Sequence, residues 1–389
     1  MSQRYLESII QQDALSRQRM AFVAGPRQVG KTTMARSMLQ SPQNYYSWDD
    51  PAWRRRWTAD PLAALNDRGP GLIVLDELHK DPQWKDRLKG FYDMRGDGTP
   101  IVVTGSARLD VFRRGGDSLM GRYLPYRLHP FTVGERTTPP APVELEFGRP
   151  ATVPWQTLMQ TGGFPEPLFD GSPQRARRWS RLRAERLVNE EVRDLRNVRD
   201  LRQLKLLVTL LPERVGSLLS INGLAEQIGT SFATVRDWVD VLSELYVCTT
   251  IYPWSRRVGR ALTSTPKLYM TDILSIPSDG ARRENLAALH LLKACQYWTD
   301  VAAGEFDLWY LRTRDGAEVD FVVTRDGEPW MLVECKSGDT SPAAHLRHFA
   351  RELKPQYLIQ LVSRDDYDRE YAEDGLRVMS YDRFFAALV

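Results

Sequence analysis

GPRQVGKTT, residues 25–33, is the stretch that decides the fold of the N-terminal region. It fits the pattern G-x-x-x-x-G-K-[ST], with Gly25, Gly30, Lys31 and Thr32 at the fixed positions. A match this short also arises by chance. In that case the glycines and the proline would simply form a turn. The flanking sequence has to decide between these two interpretations.

The flanking sequence favours a loop that binds a nucleotide phosphate. The apolar run MAFVA (20–24) predicts a buried strand before the loop, and TTMARSMLQ (32–40) predicts a helix after it. Strand, glycine turn and helix is the order in which backbone N–H groups converge on a phosphate. Lys31 is predicted to reach the β and γ phosphates, Thr32 to bind Mg²⁺, and Thr33 to complete the nucleotide-binding set.

A second apolar strand, GLIVLDE (71–77), ends in two carboxylates. Because parallel strands present their ligands at the carboxyl edge of a sheet, we expect these acids to lie beside the loop. Asp76 is predicted to hold Mg²⁺, directly or through water, and Glu77 to orient and deprotonate the attacking water. Glu77 is also typical of a solvated acid at the start of a helix, and this alternative stays open.

A third apolar strand, PIVVTGSA (100–107), ends in two hydroxyl side chains. Thr104 and Ser106 are predicted to sense the γ phosphate. Phosphoryl transfer usually also needs an arginine near the leaving oxygens. Arg122 and Arg108 are the candidates for this role, and a surface salt bridge is the alternative for either.

Length and composition place these motifs in a globular protein of several domains. The chain has 389 residues, of which 42% are hydrophobic and 26% are charged. Its net charge of +3 neither requires nor excludes a nucleic acid partner. The three cysteines lack metal-ligand spacing, and no signal peptide or membrane-spanning run is visible. We therefore predict a cytoplasmic protein without membrane association.

Residues 137–154 separate the N-terminal region from the rest of the chain. This stretch concentrates proline and glycine, and it predicts a linker after a first domain at residues 1–136. From residue 173 the pattern becomes helical, with arginines and glutamates spread around the helix axis. Such mixed charge is typical of a solvated helix face, and a nucleic acid contact is the alternative.

Residues 220–246 have the pattern of a helix-turn-helix, with apolar side chains at the inward positions of both helices. The sequence that follows predicts a β hairpin, so we expect a winged helix within a helical region at residues 155–265. Its wing carries Arg256, Arg257 and Arg260, which suit phosphate contacts. The outward face of the second helix is acidic and would repel DNA, so packing against the N-terminal domain is the alternative.

Residues 309–338 contain two apolar strands joined by a short turn at Asp326 and Gly327. Glu334 and Lys336 are two residues apart on the second strand. Because side chains alternate along a strand, these two groups project from the same face. They form the first half of a candidate metal-dependent site.

The length of the hairpin loop decides whether Asp320 joins this face. A loop of three residues, 326–328, sets Asp320 opposite Glu334, whereas a two-residue loop shifts the register by one and separates the groups. In the first case Asp320 and Glu334 provide hard oxygen ligands for Mg²⁺. Lys336 would then position or activate water for attack on a phosphodiester. A buried salt-bridged cluster without catalysis is the alternative.

The chain as a whole resembles the prokaryotic AAA-like ATPases that carry a restriction-endonuclease-like C-terminal domain. The likeness rests on GPRQVGKTT, on LIVLDELHKDPQWKDRLKGFYD and on VVTGSARLDVFRRGGDSLMGRYLPYRLHPFTVGE. It continues through TGGFPEP, NEEVRDL, PKLYMTD and EVDFVV. Asp320 and the pair Glu334 and Lys336 resemble the PD-(D/E)xK nuclease motif, and Glu284 matches the acid on the helix of that family. The segment TDILSIPSDGARREN departs from the family, which commonly has an aspartate followed by Gly-Leu there.

This resemblance implies an α/β P-loop NTPase (AAA-like) domain, a helical and winged-helix connector, and a small α/β nuclease-like domain at residues 266–389. It also implies ATP binding. From the residues of the two candidate sites we further expect Mg²⁺ as a cofactor, and ATP binding or turnover that controls Mg²⁺-dependent cleavage of DNA. The alternative is an ATP-dependent molecular switch whose catalytically inactive nuclease fold binds nucleic acid or a protein partner. AAA-like relatives often assemble into rings, so a homo-oligomer is also expected.

Overall fold

A computed structural model of the chain describes residues 3–95, 98–105, 119–135, 145–149, 151–187, 201–255, 264–313 and 315–389. The described residues fall into two compact units. The N-terminal unit extends to Pro130, and the C-terminal unit begins at Phe131. Helices and strands are numbered below in chain order over the described residues.

The N-terminal unit contains a five-stranded parallel sheet with the strand order β2-β3-β4-β1-β5. Most of its strands are continuous apolar runs, because a parallel sheet is covered on both faces. The predicted strands before the loop, before the two acids and before Thr104 are all present. The five strands are β1 (Met20–Ala24), β2 (Tyr45–Ser47), β3 (Ile73–Asp76), β4 (Ile101–Thr104) and β5 (Tyr123–Arg127).

Helices of the N-terminal unit cover this sheet with aromatic side chains. Trp53 and Trp57 are one helical turn apart, and both are buried against the sheet together with Phe22 and Phe91. The helix that carries the tryptophans begins at a proline, and the Asp50 carboxylate caps it by accepting from a backbone N–H. The helices are α1 (Leu6–Ile10), α2 (Lys31–Ser37), α3 (Pro51–Ala59) and α4 (Trp84–Met94).

The first part of the C-terminal unit is helical and includes the predicted helix-turn-helix. Ser220 and Ser231 cap its two helices, and the apolar positions predicted to face inward are buried. A two-stranded antiparallel sheet follows, and the wing arginines 256, 257 and 260 fall outside the described residues. The elements are α5 (Trp155–Thr161), α6 (Pro165–Asp170), α7 (Pro173–Arg186), α8 (Leu201–Leu210), α9 (Ile221–Ile228), α10 (Phe232–Glu244), β6 (Cys248–Ile251) and β7 (Lys267–Met270).

The last part of the C-terminal unit is a mixed six-stranded sheet with the strand order β12-β13-β11-β10-β9-β8. Strands β8, β9 and β10 are antiparallel neighbours, whereas β10, β11 and β13 run parallel. The elements are α11 (Asp279–Asp300), β8 (Phe306–Arg312), β9 (Glu318–Arg325), β10 (Glu328–Cys335), α12 (Ala344–Leu353), β11 (Tyr357–Val362), β12 (Asp368–Tyr371), β13 (Leu376–Ser380) and α13 (Tyr381–Ala386). Among helices of the described ranges, none is both long and apolar enough to cross a lipid bilayer.

The loop of the β9–β10 hairpin is one residue shorter than the loop that was expected to set Asp320 opposite Glu334. Arg325 pairs with Glu328, so the loop consists of the two residues Asp326 and Gly327. Both adopt positive φ angles, 53° and 85°, as a tight two-residue hairpin turn demands. A loop of this length was predicted to separate Asp320 from Glu334.

That prediction was wrong, because it did not allow for a β-bulge. The register of the hairpin shifts between Pro329 and Met331, where β10 accommodates one extra residue. The shift compensates for the short loop, and the pairing that follows sets Asp320 opposite Glu334. The backbone N–H of Cys335 donates to Asp320 Oδ2 at 2.8 Å, which holds the two strands in this register.

Candidate active sites

The predicted phosphate loop connects β1 to α2 and has a backbone that requires glycine. Gly25 and Gly30 adopt φ angles of 149° and 98°, which side chains rarely tolerate. At the first position space is also lacking, because a Cβ on Gly25 would lie 2.3 Å from the carbonyl oxygen of Leu128. Both fixed glycines of the motif are therefore required by the loop conformation.

Lys31 begins α2, and its side chain turns back into the loop. It is only 7% exposed, and its Nζ donates to the carbonyl oxygens of Gly25 at 2.9 Å and Pro26 at 2.8 Å. A buried ammonium needs such partners, because an isolated charge is costly to remove from water. A phosphate in the loop would offer this ammonium a full negative charge in place of two carbonyl dipoles.

Asp76 ends β3 and is surrounded by three hydroxyl groups. Thr32 Oγ1 donates to its Oδ2 at 3.0 Å, the Tyr45 hydroxyl donates to the same oxygen at 2.6 Å, and the Thr104 hydroxyl donates to Oδ1. Burial, followed by the hydrogen bond and charge of Asp76, raises the pKa of Tyr45 to about 12. The hydroxyl of Thr32 and the carboxylate of Asp76 are oxygen donors of the kind that Mg²⁺ prefers.

Glu77 follows Asp76 in a left-handed backbone conformation, with a φ angle of 57°. Its backbone N–H donates to the carbonyl oxygen of Thr104 at 2.9 Å, which ties the turn to the end of β4. The carboxylate lies 3.4 Å from Lys80 Nζ and 3.7 Å from His79 Nε2. The predicted general base is therefore next to the site, with its carboxylate held by side chains of its own turn.

Of the other predicted nucleotide contacts, Arg122 is the one that the structure places away from the loop. Thr33 is exposed on α2, and Ser106 and Arg108 fall outside the described residues. The Arg122 guanidinium pairs with Asp93, with its Nε 2.7 Å from Oδ1. Arg122 also precedes β5 at the amino end of the sheet, whereas the loop follows the carboxyl end of β1. Within this chain Arg122 therefore lies at the edge of the sheet opposite the loop.

A second polar cluster lies in the C-terminal unit, where α11 and strands β7, β9 and β10 meet. It contains four carboxylates and two lysines, with the predicted acids of the nuclease-like motif among them. We call it the acidic cluster, and its members are Lys267, Glu284, Glu318, Asp320, Glu334 and Lys336.

Lys267 provides the central positive charge of the acidic cluster. The residue is 2% exposed, and its Nζ lies 2.5 Å from Glu318, 3.4 Å from Glu284 and 3.9 Å from Asp320. Burial lowers the pKa of this ammonium, but the charges of the three acids outweigh burial and the pKa is raised. Lys267 is therefore charged at neutral pH and offsets part of the negative charge around it.

Glu334 is 5% exposed and makes contacts through one oxygen only. Its Oε1 accepts a hydrogen bond from Lys336 Nζ at 2.6 Å, and His345 Nε2 lies 3.1 Å from the same oxygen. Its Oε2 has no hydrogen-bond partner within the part of the chain that the structure describes. A buried carboxylate oxygen without a partner is costly, so this atom is a candidate ligand for a cation.

Asp320 is a buried acid that faces two other carboxylates of the acidic cluster. Burial raises the pKa of its carboxyl well above the usual range, and the charges of Glu284 and Glu334 raise it further, against the opposing charge of Lys267. Across the described ranges, no three His, Cys, Asp or Glu side chains are spaced as a metal shell. Binding of a divalent ion by three of these side chains would therefore need the acidic cluster to rearrange.

Three residues of these sites were not predicted from the sequence. Glu318 is two residues before Asp320 on β9, so the alternation of side chains could have placed it on the same face. Tyr45 and Lys267 lie at the start of β2 and β7, far along the chain from the acids that they contact. No local pattern identifies such contacts, because they depend on which strands become neighbours.

Comparisons with known proteins bear on the three regions separately. The family model described as AAA domain matches residues 17–137. Residues 17–137 are an AAA-type P-loop domain. Two further models match residues 154–273 and 279–384, and both are described as domains of unknown function (DUF8612 and DUF4143). The predicted AAA-like domain is thus confirmed, whereas the winged helix and the nuclease-like domain stay predictions.

Two relatives match most of the chain. They are the uncharacterized protein Rv2008c of Mycobacterium tuberculosis and the uncharacterized protein Mb2031c of Mycobacterium bovis. Each is 25% identical over 325 residues, which covers 82% of this chain and 70% of the relative. Neither description assigns an activity.

Several solved structures are similar at a low level. The Aeropyrum pernix ORC1 protein in complex with DNA has a TM-score of 0.33 and 14% identity, covering 73% of this chain and 92% of that chain. The Thermotoga maritima RuvB Holliday junction branch migration motor has a TM-score of 0.29 and 18% identity, covering 62% and 86%. The replication initiator DnaA bound to AMPPCP and single-stranded DNA has a TM-score of 0.31 and 13% identity, covering 61% and 86%. With TM-scores this low, we infer neither the architecture nor the function of this chain from these structures.

Proposed function

We propose that the AAA domain binds ATP together with Mg²⁺ and hydrolyses the ATP. The observation that carries this proposal is the hydrogen bond between Thr32 and Asp76, which joins the two predicted Mg²⁺ ligands next to the glycine loop. A Mg²⁺ ion held by these oxygens would neutralise charge on the β and γ phosphates. Lys31 would bind the same phosphates, and the loop amides would surround them.

Glu77 is the proposed general base of this reaction. Its carboxylate would accept a proton from the water that attacks the γ phosphate. Its contacts with Lys80 and His79 hold that carboxylate within its own turn, so alignment with the water requires their release. Thr104 is held beside Asp76 and is suited to sense the phosphate through the hydrogen bonds of this network.

Mg²⁺-dependent release of phosphate from ATP tests the proposal. The Lys31→Ala variant is expected to lower kcat/KM by about 100-fold or more, because it removes a charged group that binds the transferred phosphoryl group. Lys89→Ala is the matched control, since Lys89 is on α4 near Asp93, at the amino end of the sheet. Equal turnover by Lys31→Ala and the wild type would contradict the proposal.

We propose further that the acidic cluster is a Mg²⁺-dependent nuclease-like centre that acts on DNA under the control of the AAA domain. The unpartnered Oε2 of Glu334 supports this, since it is a buried oxygen beside Asp320. Asp320 and Glu334 would hold the ion, which would offset charge on the leaving oxygen. Lys336 would orient the attacking water, and Glu284 would complete the acidic set.

A specific observation favours the alternative, an ATP-dependent switch with an inactive nuclease fold. Lys267 stands among three of the acids and already supplies a fixed positive charge. This ammonium offsets part of the acidic charge that a metal ion would otherwise have to neutralise. In this alternative the C-terminal unit binds nucleic acid or a protein partner and does not cleave.

Plasmid nicking in the presence of Mg²⁺, with and without ATP, separates the two candidates. If the cluster is catalytic, Lys336→Ala is expected to lower the nicking rate by about 100-fold or more, because water activation is lost. Lys354→Gln, an exposed lysine after α12, is the control and should retain the wild-type rate. Nicking that is absent across supercoiled, linear and single-stranded substrates favours the inactive switch.

A further inference from the structure

The AAA domain has a pocket of about 640 Å³ that the proposed ATP reaction does not use. It lies near the carboxyl edge of the sheet, since the backbone N–H of Trp48 in its wall donates to the carbonyl oxygen of Asp76 at 3.0 Å. The pocket is open, and its size is in the range of small-ligand sites. Its main lining residues are Trp48, Arg54, Arg55, Thr58, Asp81 and Arg87.

The sequence of α3 directs two arginines to this pocket. Trp53 and Trp57 take the buried face of the helix, so the residues next to them in sequence are turned away from the core. Arg54 and Arg55 are exposed and line the pocket. Arg56 does not line it, and its guanidinium lies 3.6 Å from a carboxylate oxygen of Asp67.

The two arginines are a source of uncompensated positive charge. Arg87 is neutralised by Asp81, with its Nη1 2.5 Å and 2.6 Å from the two carboxylate oxygens. For Arg54 and Arg55, by contrast, no acidic side chain of the described residues lies within ion-pair distance. Free guanidinium groups beside a cavity favour an anionic ligand that offers two oxygens to each guanidinium, such as a phosphate.

Trp48 adds an aromatic face to this charged surface. Its side chain packs against the hydrophobic core but is only half-buried. The guanidinium carbon of Arg54 lies 5.8 Å from the centroid of its ring. An aromatic ring beside arginines is the combination that binds single-stranded nucleic acid, because bases stack on the ring while arginines contact the backbone.

We propose that this pocket binds one nucleotide unit of a single-stranded nucleic acid, with the base on Trp48 and the flanking phosphates on Arg54 and Arg55. An acidic peptide would use the arginines but would not use the exposed part of the Trp48 ring. A free nucleotide has the same chemistry as a nucleotide unit of a strand, and the experiment below separates these two sources. The proposal does not depend on ATP hydrolysis by the domain.

The test is fluorescence anisotropy of a labelled 20-nucleotide oligo(dT) titrated with the full chain in the absence of ATP. Replacing both Arg54 and Arg55 by alanine is expected to weaken binding by about 20-fold or more, since two phosphate contacts are lost. Trp48→Leu is expected to weaken it by about 5- to 100-fold through loss of stacking. Arg56→Ala is the matched control, because it removes the same charge from the same helix but from outside the pocket.

The outcomes of this test are distinct. Wild-type affinity of the Arg54 and Arg55 double variant for the oligonucleotide would overturn the proposal. Equal weakening by Arg56→Ala would also overturn it, because binding would then depend on the overall positive charge of the helix and not on the pocket. Complete displacement of the oligonucleotide by AMP at micromolar concentration would assign the pocket to free nucleotides. Arginine-dependent binding of polyglutamate with the same affinity would assign it to acidic peptides. Melting curves of the arginine variants should match the wild type, because Arg54, Arg55 and Arg56 are exposed.

Discussion

Glu77→Gln is expected to lower ATP turnover by about 10²- to 10⁴-fold, which is the usual contribution of a general base. Glutamine keeps the size of the side chain but cannot accept a proton from water at neutral pH. ATP affinity should stay within roughly twofold of the wild type, because the loop, Lys31 and Asp76 are unchanged. Single-turnover phosphate release and equilibrium binding of ATP measure the two effects separately.

The neighbouring contacts of Glu77 supply the control for this prediction. Lys80 lies 3.4 Å from the Glu77 carboxylate and 2.8 Å from Asp49, so Lys80→Met removes one of the two contacts that described side chains make with this carboxylate and leaves the carboxylate itself in place. This variant should retain turnover within about tenfold of the wild type, since the base itself is still present. Full turnover by Glu77→Gln would show that Glu77 is the solvated acid of the alternative interpretation.

Lys267→Met is expected to destabilise the C-terminal unit by about 3–5 kcal/mol, because removal of one partner leaves buried charge without compensation. For a domain of this size, this lowers the melting temperature by roughly 6–20 °C. Methionine has a side chain of similar length, so the loss reflects charge more than packing. Differential scanning calorimetry of the variant and the wild type measures the effect.

The effect of divalent cations should show whether Lys267→Met loses stability because its acids are left uncompensated or because the fold is damaged in general. Without the ammonium, the carboxylates of Glu284, Glu318 and Asp320 face a position that lies 2.5 to 3.9 Å from their oxygens. Millimolar Mn²⁺ that draws these acids together around it should restore part of the lost stability. Lys336→Met is the control, since Lys336 is one-third exposed and should cost less stability. A Lys267→Met variant that melts with the wild type would contradict the assigned role of this lysine.

The arrangement of the proposed nucleotide site was predictable because its residues are near one another in sequence or end neighbouring strands. The glycine loop is a local conformation, so the spacing of Gly25, Gly30 and Lys31 contains most of the information needed. Asp76 and Thr104 each end an apolar run, and parallel strands bring such ends to one edge of the sheet. The pattern of apolar runs and glycines in the sequence was therefore sufficient to predict this part of the fold.

The errors came from features that depend on distant parts of the chain. Arg122 was chosen for its residue type, but the register of β1 and β5 places it at the amino edge of the sheet. Lys267 was missed, because only the packing of β7 against α11 and β9 brings it to the acids. The β-bulge after Pro329 was not predicted from the sequence, although it decides the position of Asp320.

Isothermal titration calorimetry of ATP into the protein with Mg²⁺ present tests the central claim most directly, namely that the loop at residues 25–33 holds a triphosphate. The wild type should give saturable heat, and Lys31→Ala should bind at least about tenfold more weakly, since a charge-assisted hydrogen bond to the phosphate is lost. No heat from the wild type at millimolar nucleotide, or identical isotherms for the two proteins, would contradict it.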